Sequence, residues 1–364
     1  MSDSIKKALS RVNAPEAEVL KRHLISQEDS LLQALKALNS LSGDTMTLFV
    51  VDKEGKLFGS LTDGDIRRAL IGGVDLSADA GSACKEGCLT VEISDKNPTL
   101  RVAEAGKKGV TLLPLTHDGY ICSLIDLRKQ EGYLPIDAIL MAGGAGERLR
   151  PLTQNLPKPL LPVGGRPIID YNIENLLRNG IRKIYITVNY LADKLTDHVE
   201  KEWDRNGDKR VSCVREPFKT GTIGSLKLIE NPLSDNFIVM NSDLLTDIKF
   251  EEMYLHHLES RSTLTIAVIP YIVSVPFAIM DHEGDRVKGL TEKPTYNYYA
   301  NAGIYIMGRE VLNYIPEGEY MDATDLIDRL LEDGKKISQY VIDGRWIDIG
   351  SPDDYRHACE IMET

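Results

Sequence analysis

The sequence predicts an α/β protein in two parts, a larger unit built on a mostly parallel sheet and a smaller α/β unit in front of it. Three observations carry this expectation. The 364 residues exceed what one core usually organises, and a hydrophobic content of 42% is enough to fill two. From Ile136 onward, short apolar strands alternate with helical patterns of about ten residues, which indicates a mostly parallel sheet covered on both faces. Between residues 21 and 130, an order of strand, turn, strand and helix occurs twice at an interval of about 65 residues, as in a duplicated module.

The elements follow in chain order. Residues 1–20 are polar and charged with a short amphipathic stretch, and read as a helical lead-in. In the first copy, Leu31, Leu32, Leu35 and Leu38 mark a helix, followed by strands at 47–52 and 57–61 around the turn Lys53-Glu54-Gly55-Lys56 and a helix from Asp65. The second copy is weaker: a helix at 99–107, a strand at 110–115, the turn Thr116-His117-Asp118-Gly119 and a strand at 120–125. Gln130-Glu131-Gly132-Tyr133-Leu134-Pro135 is a polar break, which makes 21–130 and 136–364 the expected domains. Beyond it, 137–141 is a buried strand, 167–179 a helix with Pro at its start and Gly180 as its cap, 183–188 a strand, 192–200 a helix and 237–240 a strand.

Composition excludes several classes. A net charge of −12 argues against a nucleic-acid partner, because phosphate backbones need a basic face. The longest apolar runs, at 237–240 and 264–270, fall short of the roughly 20 residues that cross a bilayer, so no membrane partner is expected. Met1 to Arg11 carries charges and no apolar core, which leads us to expect a cytoplasmic protein. Five scattered cysteines, Cys84, Cys88, Cys122, Cys213 and Cys359, fit neither a disulfide framework nor a zinc ribbon and read as reduced thiols.

The densest chemical signal is the run from Leu140 to Thr153, LMAGGAGERLRPLT, followed by Pro157-Lys158-Pro159. A strand running into Ala142, Gly143, Gly144 and Gly146 lets backbone N–H groups approach phosphate oxygens with no side chain in the way. Arg148 and Lys158 add the positive charge that the chain as a whole lacks. A dinucleotide fingerprint starting at Gly144 would need Gly at position 149, which is Leu149, and the Gly-Lys-Ser/Thr of a P-loop is absent. Asn241-Ser242-Asp243 follows a buried strand, and an acid at the carboxyl end of a parallel strand is placed to bind Mg²⁺. Trp346-Ile347-Asp348-Ile349-Gly350 supplies a second such acid.

These segments resemble the signature of the sugar-phosphate nucleotidyltransferases, which include mannose-1-phosphate guanylyltransferases and glucose-1-phosphate thymidylyltransferases. The resemblance covers about 137–364 and implies a Rossmann-like domain that converts a nucleoside triphosphate and a sugar 1-phosphate into a nucleotide sugar and pyrophosphate, for use in a surface glycan. It implies that Arg148 and Lys158 neutralise the triphosphate and that Asp243 and Asp348 hold Mg²⁺. Glu292-Lys293-Pro294 and Asn301-Ala302-Gly303 match the family's sugar side, with Lys293 on the sugar phosphate and Glu292, Asn301 and Gly303 shaping the sugar pocket. Glu216 to Leu226 resembles the base-binding loop, including Gly221 and Thr222. Thymidylyl and uridylyl members carry Gln five residues before the Gly, where this chain has Glu216. A carboxylate offers only acceptors, which suits the N1–H and N2–H₂ donors of guanine and so favours GTP. The alternatives are a thymidylyl- or uridylyltransferase, with Glu216 turned to solvent or paired with Arg215 or Lys219, and a non-catalytic nucleotide sensor.

The smaller unit resembles a tandem pair of CBS domains, through Phe49-Val50-Val51-Asp52 and Gly59-Ser60-Leu61-Thr62-Asp63-Gly64-Asp65. The resemblance implies that Thr62 and Asp65 hold a nucleotide, an adenine nucleotide being the expected regulatory ligand. The same residues also read as a turn plus helix cap. The second copy has Ile125-Asp126-Leu127-Arg128 in that place, so pairing into a homodimer or higher homo-oligomer is as good an account of this unit as sensing.

Overall fold

A computed structural model of the chain describes residues 2–363 except 13, 96, 131, 205–208 and 231–232. Met1 and Asn13 of the lead-in and Glu131 of the polar break therefore lie outside the described residues. The chain divides into two compact units, Met1–Tyr133 and Leu134–Thr364.

The first unit contains the duplication as geometry. Leu24–Ser26 pairs parallel with Thr47–Val51, which pairs antiparallel with Leu57–Thr62, and Lys85–Glu86 closes this four-stranded sheet. The second copy repeats the pattern in three strands: Val91–Glu92 lies parallel to Leu112–His117, which is antiparallel to Tyr120–Asp126. A register shift interrupts the antiparallel pair in both copies, at Val50/Val51 and at Leu115/Thr116. Each copy has a helix after its first strand, Leu31–Ser40 and Pro98–Lys107, but only the first ends in a helix, Asp63–Ile71. After Asp126 the described residues of this unit form turn and loop. The lead-in is part of the core: Ile5, Ala8 and Leu20 are buried together with Phe49, Val51, Leu112 and Ile121.

The second unit is organised by a seven-stranded sheet in the order 211–215, 184–188, 137–142, 236–241, 295–308, 264–274 and 337–341. Six of these strands run one way and Thr295–Gly308 runs against its two neighbours. Period-two alternation sorts the side chains onto two faces. Ala138, Leu140, Ile186, Ile238 and Met240 point to one core with Ile169, Ile173, Leu195 and Phe250. Ile139, Tyr185, Phe237 and Val239 point to the other with Leu226, Val311, Leu326 and Leu330. Burial of each such side chain contributes roughly 1.5–3 kcal/mol, so the sheet is held from both sides.

Helix Ile168–Arg178 buries Ile168, Ile169, Ile173 and Leu176 at helical spacing. Pro167 precedes it, and Asn179, not Gly180, is its cap. The 192–200 helix continues to Trp203. From strand Asp137–Ala142 the chain proceeds to 184–188 on one side, while 236–241 lies on the other, with Asn241 opposite Met141. The carboxyl ends of these central strands therefore open onto one crevice at a topological switch point, where such sheets bind ligands.

Candidate active site

The crevice contains a cavity of about 370 Å³ lined by Ala142, Gly144, Gly146, Arg148, Lys158 and Asp243, with Met141, Glu147, Pro159 and Ser242 completing it. The Asn241-Ser242-Asp243 turn is anchored by Ser242, whose Oγ donates to the Met141 carbonyl at 2.8 Å, and by Asn172 Nδ2, which donates to the Ser242 carbonyl at 3.1 Å. The two acids meet because Leu244–Thr246 and Trp346–Asp348 form a short antiparallel ribbon that sets Leu244 opposite Asp348. The Ile349 N–H also donates to the Asp243 carbonyl at 3.2 Å.

Lys158 is buried and donates to Asp243 Oδ2, with Asp348 Oδ1 at 4.0 Å. This ion pair is a finding that the linear motifs did not indicate. Asp243 Oδ1 is buried and has no hydrogen-bond partner among the described residues. Burial, and then the Asp243 charge, raise the Asp348 carboxyl above its ordinary value, against the opposing pull of Lys158 and Arg148. The Arg148 guanidinium lies beside Gly350, where an added Cβ would come within 3.5 Å of it. An unpartnered buried carboxylate oxygen next to a second, destabilised carboxylate is a donor set that fits a divalent cation.

The base-binding segment lies against the glycine loop. Glu216 is buried, and a Cβ at Gly143 would sit 2.6 Å from its Oε1, so only glycine permits this approach. Thr220 Oγ1 donates to Glu216 Oε2 at 2.9 Å. Glu216 thus points inward, and Arg215 pairs with Asp193 instead, so neither the solvent-facing arrangement nor the pairing with Arg215 occurs.

Gly221 adopts φ +79° with a Cβ direction blocked by the Met321 carbonyl. The Thr222 hydroxyl, expected beside a nucleotide, accepts from the Ala323 N–H at 2.8 Å and donates to Asp322 Oδ1 at 3.3 Å. Gly221 and Thr222 therefore shape the loop by docking it on residues 321–323. Asp322 is the N-cap of helix Ala323–Glu332, and nothing linear ties it to a residue a hundred positions earlier.

The sugar-side residues separate into two groups. Asn301 and Gly303 pack beside the Asn241-Ser242-Asp243 turn without lining the cavity: Asn301 Oδ1 accepts from the Gly303 N–H at 2.9 Å, and a Cβ at Gly303 would meet Asn241 Nδ2 at 2.6 Å. Glu292 and Lys293 are exposed and do not line the cavity.

In the first unit, Thr62 and Asp65 form a reciprocal capping box on helix Asp63–Ile71, and Arg68 pairs with the remaining Asp65 oxygen. A cavity of about 390 Å³ in this unit is lined by Leu35, Lys36, Leu38, Asn39, Met46 and Asp63, without Thr62 or Asp65. All five cysteines are free, and burial raises Cys84 and Cys213 to about 11. No helix among the described residues is long and apolar enough to cross a membrane.

Fold and site together define an α/β unit with a ligand-sized crevice at its switch point, and a family model described as nucleotidyl transferase matches residues 137–364. The chain belongs to the nucleotidyl transferase family, and residues 20–72 match the CBS domain. Among curated relatives, the mannose-1-phosphate guanyltransferase of Aspergillus oryzae is 34% identical over 227 residues, 60% of this chain and 62% of that protein. The mannose-1-phosphate guanylyltransferase catalytic subunit beta of Danio rerio is 32% identical over 225 residues, again 60% of this chain and 62% of the relative. The match thus spans about three fifths of these relatives' length. The solved structure of HddC from Yersinia pseudotuberculosis is 27% identical, with a TM-score of 0.48, covering 62% of this chain and 99% of that one.

Proposed function

We propose that residues 134–364 transfer the nucleoside monophosphate of GTP to a sugar 1-phosphate, releasing pyrophosphate and forming a GDP-sugar, with Mg²⁺ as the cation and the cytoplasm as the location. The observation that carries this reading is the meeting of Asp243, Asp348 and Lys158 at the mouth of the glycine loop, with one buried carboxylate oxygen left unpartnered.

A sugar-phosphate oxygen bonds to the α-phosphorus, the bond from that phosphorus to the α–β bridging oxygen breaks, and pyrophosphate departs with the electron pair. A phosphate monoester dianion needs no general base, and catalysis then consists of positioning and charge neutralisation. Backbone N–H groups at Gly143, Gly144 and Gly146 receive phosphate oxygens, while Arg148 and Lys158 offset their charge. Lys158 also holds Asp243 in place before substrate arrives. Asp243 and Asp348 would hold the cation, whose chemistry is to neutralise charge at the α-phosphate. Asn301 and Gly303 shape the sugar side next to Asn241.

The inward carboxylate of Glu216 supports guanine, because it presents an acceptor where a pyrimidine carbonyl would be repelled. The names of the curated relatives support guanylyl transfer and put mannose 1-phosphate first among the sugars to try. The test is pyrophosphate release from GTP, dTTP, UTP, CTP and ATP with a panel of sugar 1-phosphates. GTP is expected to give the highest kcat/KM, and silence with every pair would overturn the proposal. In the same assay, Glu216→Gln is expected to lower the GTP-over-UTP ratio by at least about tenfold.

A further inference from the structure

Glu216 follows strand Val211–Arg215 directly, and its main chain is fixed at both ends. Its N–H donates to the Val188 carbonyl at 2.9 Å, and its own carbonyl accepts from Asn189 Nδ2 at 3.4 Å. Pro217, Phe218 and Lys219 are exposed, and Thr220 turns back inside to be buried like Glu216. The two side chains meet there. Thr220 Oγ1 donates to Glu216 Oε2 at 2.9 Å, and the Thr220 N–H approaches the same oxygen at 3.5 Å.

The two carboxylate oxygens therefore differ. Oε2 takes both donors, whereas Oε1 has no hydrogen-bond partner among the described residues. Oε1 approaches Gly143, whose neighbours Ala142 and Gly144 line the cavity. Arg215 is held by Asp193, and among the described residues no basic side chain pairs with Glu216. A buried carboxylate is costly unless it is paired and its lone pairs are satisfied. Here one hydroxyl is the only side-chain donor, so the remaining donors must come from a ligand that presents them.

We propose that Thr220 is a positioning residue for base selection, a role that rests on the guanine reading of Glu216: by holding Oε2 it keeps Oε1 turned to the donor edge of the base. A glutamate side chain has rotamer freedom that binding must otherwise remove at a cost, and a partner already in place lowers that cost. Thr220 can do this because it is itself held. The Met321 N–H donates to the Thr220 carbonyl at 2.9 Å, and the Ile223 and Gly224 N–H groups donate to the Met321 carbonyl at 3.0 and 3.3 Å. Branching at Cβ further restricts where the hydroxyl can point. Valine in this place keeps the shape and loses the donor, whereas serine keeps the donor.

GTP and ITP differ only in the 2-amino group of guanine, so the ratio of their kcat/KM values in the full chain reads the contact made there. Thr220→Val is expected to lower the GTP-over-ITP ratio at least about tenfold, the effect of losing a hydrogen bond to a charged group, with the KM for the sugar 1-phosphate unchanged. Thr220→Ser is expected to keep the original ratio. In a Glu216→Gln background, Thr220→Val is expected to change the ratio by less than about twofold, because it acts through the carboxylate. An equal loss with GTP and ITP, an unmoved ratio, or the same drop in both backgrounds would each overturn the proposal. Thr220→Ala replaces the valine variant if that one does not fold. Calorimetry with GDP and IDP reads the same preference without turnover. A Thr220-dependent preference for GDP in a chain that releases no pyrophosphate would overturn the proposed function alone, and GTP-selective turnover indifferent to Thr220 would overturn this assignment alone.

Discussion

Asp65, in the first turn of helix Asp63–Ile71, and Asp243, in the turn after strand 236–241, both closely follow a strand, and both read from the sequence as candidate ligand-binding acids. Their surroundings differ in one respect. Asp65 has each oxygen engaged by near neighbours, Thr62 on one and Arg68 on the other, all within one helical turn. Asp243 has one oxygen held by Lys158, 85 positions away in sequence, and the other buried with nothing to accept from among the described residues. A buried polar group without a partner costs free energy, and its persistence in a cavity beside a second acid marks a place prepared for something else to bind. The locally satisfied acid stabilises a helix, whereas the unsatisfied one is available for chemistry.

This contrast is testable at three scales. The largest effect is expected from Asp243→Asn, which keeps the shape and removes the charge. Turnover should fall at least ~10³-fold while the thermal midpoint of unfolding changes little, and Mn²⁺ binding, followed by titration, should be lost with it. Undiminished turnover would place the cation elsewhere.

His257 extends the satisfied class to the second unit. It is buried, with Nδ1 at 2.8 Å from Thr265 Oγ1 and Nε2 at 3.1 Å from Asn236 Oδ1. Burial, then the neighbouring His256, lowers its pKa from 6.5 to about 4. The unfolded chain therefore takes up the proton first, so this contribution to stability is complete above about pH 6.5 and is lost as pH falls toward 4, by roughly 3 kcal/mol. Denaturant unfolding at a series of pH values should show that slope, and His257→Gln should flatten it. The smallest effect is expected from Thr62→Ala, which removes the cap and should cost about 1 kcal/mol in the first unit with no change in turnover. A selective loss of adenine-nucleotide binding in calorimetry would instead move Thr62 to the ligand-binding side of the comparison.

Much of the second unit was legible because its signals are local. Short apolar runs at 137–141 and 237–240 indicated buried strands, and Gly143 to Gly146 with Arg148 and Lys158 indicated a phosphate loop. Element ends were less exact, as at the 192–200 helix that runs on to Trp203. There, helix propensity continues past the last clear apolar position and packing sets the stop. The duplication in the first unit was legible from its turns, but the structural part played by the lead-in was not, since Ile5 and Leu20 show their partners only after folding.

What the sequence determined by itself is the class of chemistry: strand periodicity, a glycine loop, two basic residues and two acids at strand ends are properties of short segments. Tertiary structure alone decided which of these groups share a space. The ribbon of 244–246 with 346–348 carries Asp348 to Asp243, and residues 321–323 position the loop that bears Glu216. The segment between strands 264–274 and 295–308 leaves Lys293 exposed and outside the cavity. Contacts between residues a hundred positions apart depend on sheet order and register, which no local pattern encodes.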